Sequence, residues 1–225
     1  MTKPNAVQQL AWECEVRIPS NGAVLEGDLS IPQGATGLVL FAHGSGSSRH
    51  SPRNQYVARM LRESNVATLL FDLLTREEED VDMVTGHLRF NIDLLTQRLL
   101  AATNWVAREL RTRVLPLGYF GASTGGGAAL VAAAEAGEAV GAVVSRGGRP
   151  DLAATALPLV KSPTLLIVGE HDEVVIKLNQ QAYAQLRCEK ELKIVPGATH
   201  LFEEPGALEQ VARLASVWFR KHLNE

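Results

Sequence analysis

Residues 115–127 read LPLGYFGASTGGG, and the order of their parts decides the fold. A short apolar run gives way to Gly121-Ala122-Ser123-Thr124-Gly125, which opens a helical pattern running from Gly125 to Ala136. A serine held as G-x-S-x-G between a buried strand and a helix sits in a turn so sharp that its backbone is strained. The positions two before and two after it must then be small for strand and helix to approach. Gly121 and Gly125 satisfy that demand. The Ser123 hydroxyl would stand at a helix N-terminus, where the dipole and unpaired backbone N–H groups favour developing negative charge. Serine is also a good helix N-cap, so partners elsewhere in the chain must decide its role.

Further short apolar runs, bounded by turn residues, occupy Leu38–Ala42, Val66–Phe71, Val114–Phe120, Val140–Val144, Thr164–Val168 and Leu192–Val195. They suit strands buried on both faces of a parallel sheet. Alternating apolar residues from Trp12 to Ile18 and from Val24 to Ile31, separated by Ser20-Asn21-Gly22, predict an antiparallel pair ahead of them. Helical patterns fill the intervals: Pro52–Ser64, the series Leu88, Ile92, Leu95, Leu99, Val106 and Leu110, then Gly125–Ala136, Val174–Leu186 and Leu208–Leu223. This alternation predicts an α/β fold, a mostly parallel sheet of about eight strands with helices on both faces. Two segments exceed a minimal crossover. Asp72–Gly86, with Glu77-Glu78-Glu79-Asp80, is expected to be a solvated acidic loop or short helix, and Ser145–Ser162 carries Arg146, Gly147, Gly148 and Arg149. Both leave strands at the edge where open α/β sheets bind ligands, so both are expected to wall the pocket.

A serine hydroxyl is a weak nucleophile until a base takes its proton, and the base needs a third group to fix its tautomer. After the strand ending at Val168 the chain reads Gly169-Glu170-His171-Asp172-Glu173. Asp172 is the expected acid, because Glu170 is tight against the strand end and Glu173 begins the next helix. After the last strand, Pro196-Gly197-Ala198-Thr199-His200 places His200 in a loop at the same edge, completing the order Ser, Asp, His. For the oxyanion, the backbone N–H groups of Thr124 and of Ser45, in the loop His43-Gly44-Ser45-Gly46, are the expected donors. His43 is expected to brace that loop rather than catalyse. Arg146 and Arg149 are candidates for receiving a substrate carboxylate or phosphate, as are Arg49 and Arg53.

At these residues the chain resembles an α/β-hydrolase of the dienelactone hydrolase-like group, from the opening hairpin through His43-Gly44, Gly121 to Gly125, Asp172 and His200. The resemblance implies a cofactor-free enzyme with no metal. Dienelactone hydrolases proper carry cysteine as nucleophile, whereas position 123 is serine, which favours a general esterase over a dienelactone substrate. The expected function is hydrolysis of small or medium carboxylic esters through an acyl-enzyme. Phosphotriester, thioester or lactone hydrolysis on the same site is the alternative. Ser145–Ser162 is too short for a helical cap domain. A dinucleotide-binding reading of Gly44-Ser45-Gly46-Ser47-Ser48-Arg49, with Asp72 as ribose partner, is weaker because Arg49 stands where the third glycine belongs.

Composition agrees with this picture. The 225 residues, 46% hydrophobic and 21% charged, predict a single domain over 1–225. Lys plus Arg total 22 against 25 for Asp plus Glu, a net charge of −3, so no basic excess exists to hold nucleic acid. Cys14 and Cys188 are too few for a disulfide framework, and a cytoplasmic location is expected. No apolar run is long enough for a membrane span. The expected partner is a small-molecule ester, bound by a monomer or homodimer.

Overall fold

The computed structural model describes residues 10–223. Its strands are β1 (Leu10–Ser20), β2 (Ala23–Pro32), β3 (Gly37–Ala42), β4 (Val66–Phe71), β5 (Leu117–Ala122), β6 (Ala142–Arg146), β7 (Thr164–Gly169) and β8 (Lys190–Val195). Its helices are α1 (Pro52–Glu63), α2 (Arg76–Thr85), α3 (Ile92–Val106), α4 (Thr124–Ala136), α5 (Glu173–Gln185) and α6 (Ala207–His222). Asn21 and Gly22 both take positive φ, the two-residue turn whose twist matches that of a hairpin. The eight strands form one sheet in the order β1-β2-β4-β3-β5-β6-β7-β8. β1, β2 and β4 pair antiparallel, and every other pairing is parallel. The chain lays β4 on one side of β3 and β5 on the other. The loops after β3 and β5 therefore part at a topological switch point, where such sheets hold ligands.

Alternate residues of each inner strand feed two cores. Val39, Phe41, Phe120 and Val144 pack with α1 and α6, whose Val57, Leu61, Val211 and Phe219 are fully buried. Leu38, Leu40 and Tyr119 face the other layer, with Leu95 and Leu99 of α3 and the alanine face of α4. β5 and β6 run farther than their apolar runs suggest, because Gly121 pairs with Ser145 and Ala122 with Arg146. Ladder pairing outweighs the low strand propensity of Gly and Ala. Cys14 lies on β1 and Cys188 just before β8, both half-buried. No helix among the described residues is long and apolar enough to cross a membrane.

The acidic segment is a well-formed helix. Thr75 accepts from the Glu78 N–H at 3.2 Å while the Glu78 carboxylate accepts from the Thr75 N–H at 2.8 Å, a capping box visible in the sequence as T-x-x-E. Acids in the first turn of α2 also suit its dipole. One of them, Glu78, and Asp82 farther along tether the helix: Glu78 to Arg98 at 2.6 Å and Asp82 to Arg89 at 2.5 Å.

Strand β5 and helix α4 meet so closely that a Cβ on Gly121 would lie 2.5 Å from the Gly125 carbonyl oxygen, and one on Gly125 2.1 Å from that of Ala42. Gly125→Ala must push α4 away from β3, at an expected cost of about 2–4 kcal/mol. The check is a lower urea midpoint at unchanged m-value. An unchanged midpoint would show that the elbow tolerates a side chain there.

Candidate active site

Ser123 joins β5 to α4 with φ 51 and ψ −120, a conformation that costs a non-glycine residue about 1–3 kcal/mol and persists only where surroundings enforce it. The enforcing bonds are present. The Ser123 N–H donates to the Arg146 carbonyl at 3.2 Å, and the Ser123 carbonyl accepts from the N–H groups of Gly126 and Arg149, each at 3.0 Å. Its side chain makes no cap bond to α4, so the hydroxyl is not spent as an N-cap.

Asp172 also precedes a helix without capping it. Its carboxylate instead meets the His200 imidazole, Oδ2 to Nδ1 at 2.5 Å. Glu170 points elsewhere, accepting from the Gly197 N–H at 2.7 Å and so bracing the loop that carries His200. His171 and Glu173 are exposed. The His200 ring also lies against Gly147, at φ 53, where a Cβ would sit 3.4 Å from its Nδ1 and Cε1. Gly147 and Gly148 are held in turn: the Gly147 N–H donates to Ile167 at 2.7 Å, and buried Asn179 donates to the Gly148 carbonyl at 3.0 Å. Neither Asn179 nor the contact of Gly147 with His200 was evident from the sequence, since a lone Asn on a helix and a Gly-Gly pair carry no signal of their tertiary neighbours.

The two expected oxyanion residues lie against one another, but not as two free donors. The Ser45 N–H donates to Thr124 Oγ1 at 2.9 Å, across 79 positions of sequence. Thr124 opens α4, where a backbone N–H has no intrahelical acceptor. His43 is buried, its Nε2 accepting from the Leu73 N–H at 3.0 Å and its Nδ1 donating to the Gly44 carbonyl at 3.0 Å. The bond from Leu73 selects a neutral ring, and burial lowers the His43 pKa, outweighing the Gly44 bond, which raises it.

A cavity of about 290 Å³ opens beside this loop, lined among others by Gly44, Ser45, Thr124, Leu73, Leu74 and Met83. Gly44 is also the neighbour of the Ser123 side chain. Glu79 lines the cavity, and burial, then the charge of Asp72, raises its pKa. The expectation that two long segments wall the pocket is corrected by half: Asp72–Gly86 does so, whereas no residue of Ser145–Ser162 lines this cavity. That second segment folds as 3-10 turns over Pro150–Leu159 and packs on α4 and α5.

The candidate arginines separate sharply. Arg149 is satisfied by its near neighbour Asp151 through two bonds, at 2.8 and 2.7 Å, which corrects its candidacy as an anion receptor. Arg49 is ion-paired to Glu26, Asp28 and Asp72. The same pairing occupies the Asp72 carboxylate that a ribose would need. Arg146 has no acidic partner in any ion pair or hydrogen bond of the described residues. It is 7% exposed, and burial, then the like charge of Arg53, lowers its guanidinium to about 10. It stays a cation at neutral pH.

Residues 40–222 match the model of the dienelactone hydrolase family. A solved dienelactone hydrolase from Anabaena variabilis is 61% identical with a TM-score of 0.93, the match covering 94% of this chain and 98% of that one. A protein of Mycobacterium tuberculosis with the provisional name phosphoribosyl transferase is 56% identical over 209 residues, which are 93% of this chain and 46% of the relative. The chain thus spans about half the length of the curated relatives it matches. At 16% identity and a TM-score of 0.75, the promiscuous phosphotriesterase P91 from metagenomic libraries, described as dienelactone hydrolase-like, shares the fold over 95% of this chain and 99% of its own. Since the family model runs from within β3 to the last residue of α6, this chain belongs to the dienelactone hydrolase family.

Proposed function

We propose that the chain hydrolyses small or medium carboxylic esters with Ser123 as nucleophile, His200 as base and Asp172 as the acid that orients it. The observation that carries this reading is the Asp172–His200 bond of 2.5 Å, made by a carboxylate that forgoes capping its own helix. With Nδ1–H bonded to Asp172, His200 presents Nε2 as the proton acceptor. Ser123 Oγ attacks the acyl carbon as His200 takes its proton, and the carbonyl oxygen becomes an anion facing the Thr124 and Ser45 N–H groups. As charge develops, the Ser45 N–H exchanges the Thr124 hydroxyl for this stronger acceptor. Collapse expels the alcohol, protonated by His200. Water then attacks the acyl-enzyme with His200 again as base, releasing the acid and restoring Ser123. Leu73, Leu74 and Met83 offer an apolar wall for a small acyl group.

A phosphotriester fits the same chemistry, because the hydroxyl that attacks a carbonyl can attack phosphorus, and P91 is a fold neighbour with that activity in its name. The transferase name attaches to proteins about twice as long and enters no step here. A serine-directed organophosphonate tests the assignment. The expected result is one covalent adduct, mapped to the peptide containing Ser123, with parallel loss of ester turnover. An adduct elsewhere, or turnover surviving full modification, would overturn it.

A further inference from the structure

Asn179 takes no step in the proposed chemistry, yet its place in α5 calls for a reason. The helix turns Val175, Asn179 and Ala182 inward, a stripe at i, i+4 and i+7 where apolar side chains are the rule. Asparagine is a poor helix former, and this one is 0% exposed. Its Nδ2 donates to two carbonyls, that of Val175 at 2.8 Å and that of Gly148 at 3.0 Å. Its Oδ1 is buried with no donor among the described residues. Turning the amide over would set oxygen against both carbonyls, so the bonding fixes which end faces them. An unpaired buried acceptor is costly, and what an apolar residue could not supply is the pair of donors. Val175 lies four residues back on the same helix, where its carbonyl has a backbone partner in any case. The bond to Gly148 is therefore the one that reaches outside the helix.

Gly148 belongs to a segment that meets both the proposed nucleophile and the proposed base. The Arg146 carbonyl accepts from the Ser123 N–H at 3.2 Å, and the Arg149 N–H donates to the Ser123 carbonyl at 3.0 Å. Between these anchors stand Gly148 and Gly147, the latter so near His200 that a Cβ would lie 3.4 Å from Nδ1 and Cε1 of the ring. Two successive glycines give the backbone its greatest freedom, and here that freedom falls on the surface backing the base. Two bonds restrain it: the Gly147 N–H donates to Ile167 at 2.7 Å, and the Gly148 carbonyl accepts from Asn179. The helix that carries Asn179 is capped seven positions earlier by Asp172, about two turns away and on the same side. One rigid element thus holds the carboxylate that bonds His200 and the amide that fixes the turn against its ring.

We propose that Asn179 is a positioning residue for the base: by clamping Gly148 it keeps Gly147 against the His200 imidazole, and so sets where Nε2 stands relative to Ser123. This rests on the hydrolase reading above and deepens it. Asn179 acts through the two glycines. Proton transfer from Ser123 depends on alignment, and a displacement of about 1 Å caused from a distance is enough to cost roughly 100-fold in rate.

Asn179→Leu, similar in volume but without donors, should lower kcat for 4-nitrophenyl butyrate by roughly 10- to 100-fold with KM within about twofold. Asn179→Ser should lose kcat alike, because a helical serine bonds the carbonyl four residues back and does not reach Gly148; it serves if the leucine variant does not fold. Ser162→Ala is the control. It removes another buried side-chain bond to a backbone carbonyl, Ser162 Oγ to Val140 at 2.7 Å, and should lower the urea midpoint while leaving kcat unchanged. Gly147→Ala sets a methyl against the ring. Since the clamp is what keeps that methyl there, its effect on kcat should be smaller in the Asn179→Leu background than in wild type. Independently of turnover, the downfield proton NMR resonance of the His200 Nδ1–H bonded to Asp172 should broaden or shift in Asn179→Leu and stay as it is in Ser162→Ala.

A folded Asn179→Leu protein with kcat within about twofold of wild type would overturn the proposal. So would a loss expressed in KM alone, an equal loss of kcat in Ser162→Ala, or independent effects of Asn179→Leu and Gly147→Ala. A reduced kcat with the resonance unchanged would move the clamp's effect to Ser123 and overturn the role at His200. Wild-type protein that turns over no ester would count against the hydrolase reading alone. The resonance then decides: its change in Asn179→Leu supports the clamp, and its invariance removes Asn179 from the placement of His200.

Discussion

Ser123→Ala should lower kcat for a neutral ester by roughly 10⁴ to 10⁶ while leaving the fold intact. Alanine cannot form the acyl-enzyme, so whatever rate remains comes from binding and from the N–H groups facing the oxyanion, and phosphonate labelling should vanish with it. Stability should change little. The strain at position 123 comes from φ 51, which alanine must also adopt, and the serine side chain caps nothing. Steady-state kinetics paired with urea denaturation separates the two effects. Near-native turnover in a folded Ser123→Ala protein would remove Ser123 from the chemistry. Ser123→Gly is a useful companion, because glycine relieves the strained φ and should gain roughly 0.5–1 kcal/mol while remaining inactive.

That strain shows why the centre of the molecule was legible in the sequence. Gly121, Ser123 and Gly125 are constrained by local sterics at fixed spacing, and local sterics are written in consecutive residues. The positions of Asp172 and His200 were legible for a different reason: each follows a recognisable strand, and parallel strands deliver all such loops to one edge, although β8 before His200 proves to be a half-exposed edge strand and not, like β7, buried on both faces. The acidic stretch was expected to be a solvated loop or a short helix, and the Thr75–Glu78 pair, a helix-start signal in the sequence itself, decides for the helix. Arg149 is similar, its partner Asp151 standing only two residues away. The isolation of Arg146 was not legible at all. A missing partner is a property of everything packed around a side chain, here including the Phe202 ring, brought to Arg146 from a distant part of the chain. The occupied Ser45 N–H belongs to the same class, because its acceptor on Thr124 comes from the start of α4, 79 positions away in sequence.

Asp172→Asn should reduce kcat by roughly 10⁴, whereas Glu170→Gln should reduce it less than tenfold. The two acids are separated by one residue, yet their bonds differ in kind. Asp172 accepts from His200 Nδ1, so an amide nitrogen turned to that position would favour the tautomer with its proton on Nε2, leaving no base toward Ser123. It would also leave the imidazolium formed during acylation without its counter-charge. Glu170 accepts from a backbone N–H of Gly197, and a glutamine side-chain oxygen can accept that bond equally well. The loss in Asp172→Asn should therefore fall on kcat with KM little altered, since the substituted atom touches histidine rather than substrate. Organophosphonate labelling should slow in proportion, because it needs the same base. The opposite order, Glu170→Gln inactive and Asp172→Asn active, would mean that His200 turns to the other carboxylate during turnover, and the 2.5 Å bond would then describe a resting arrangement only.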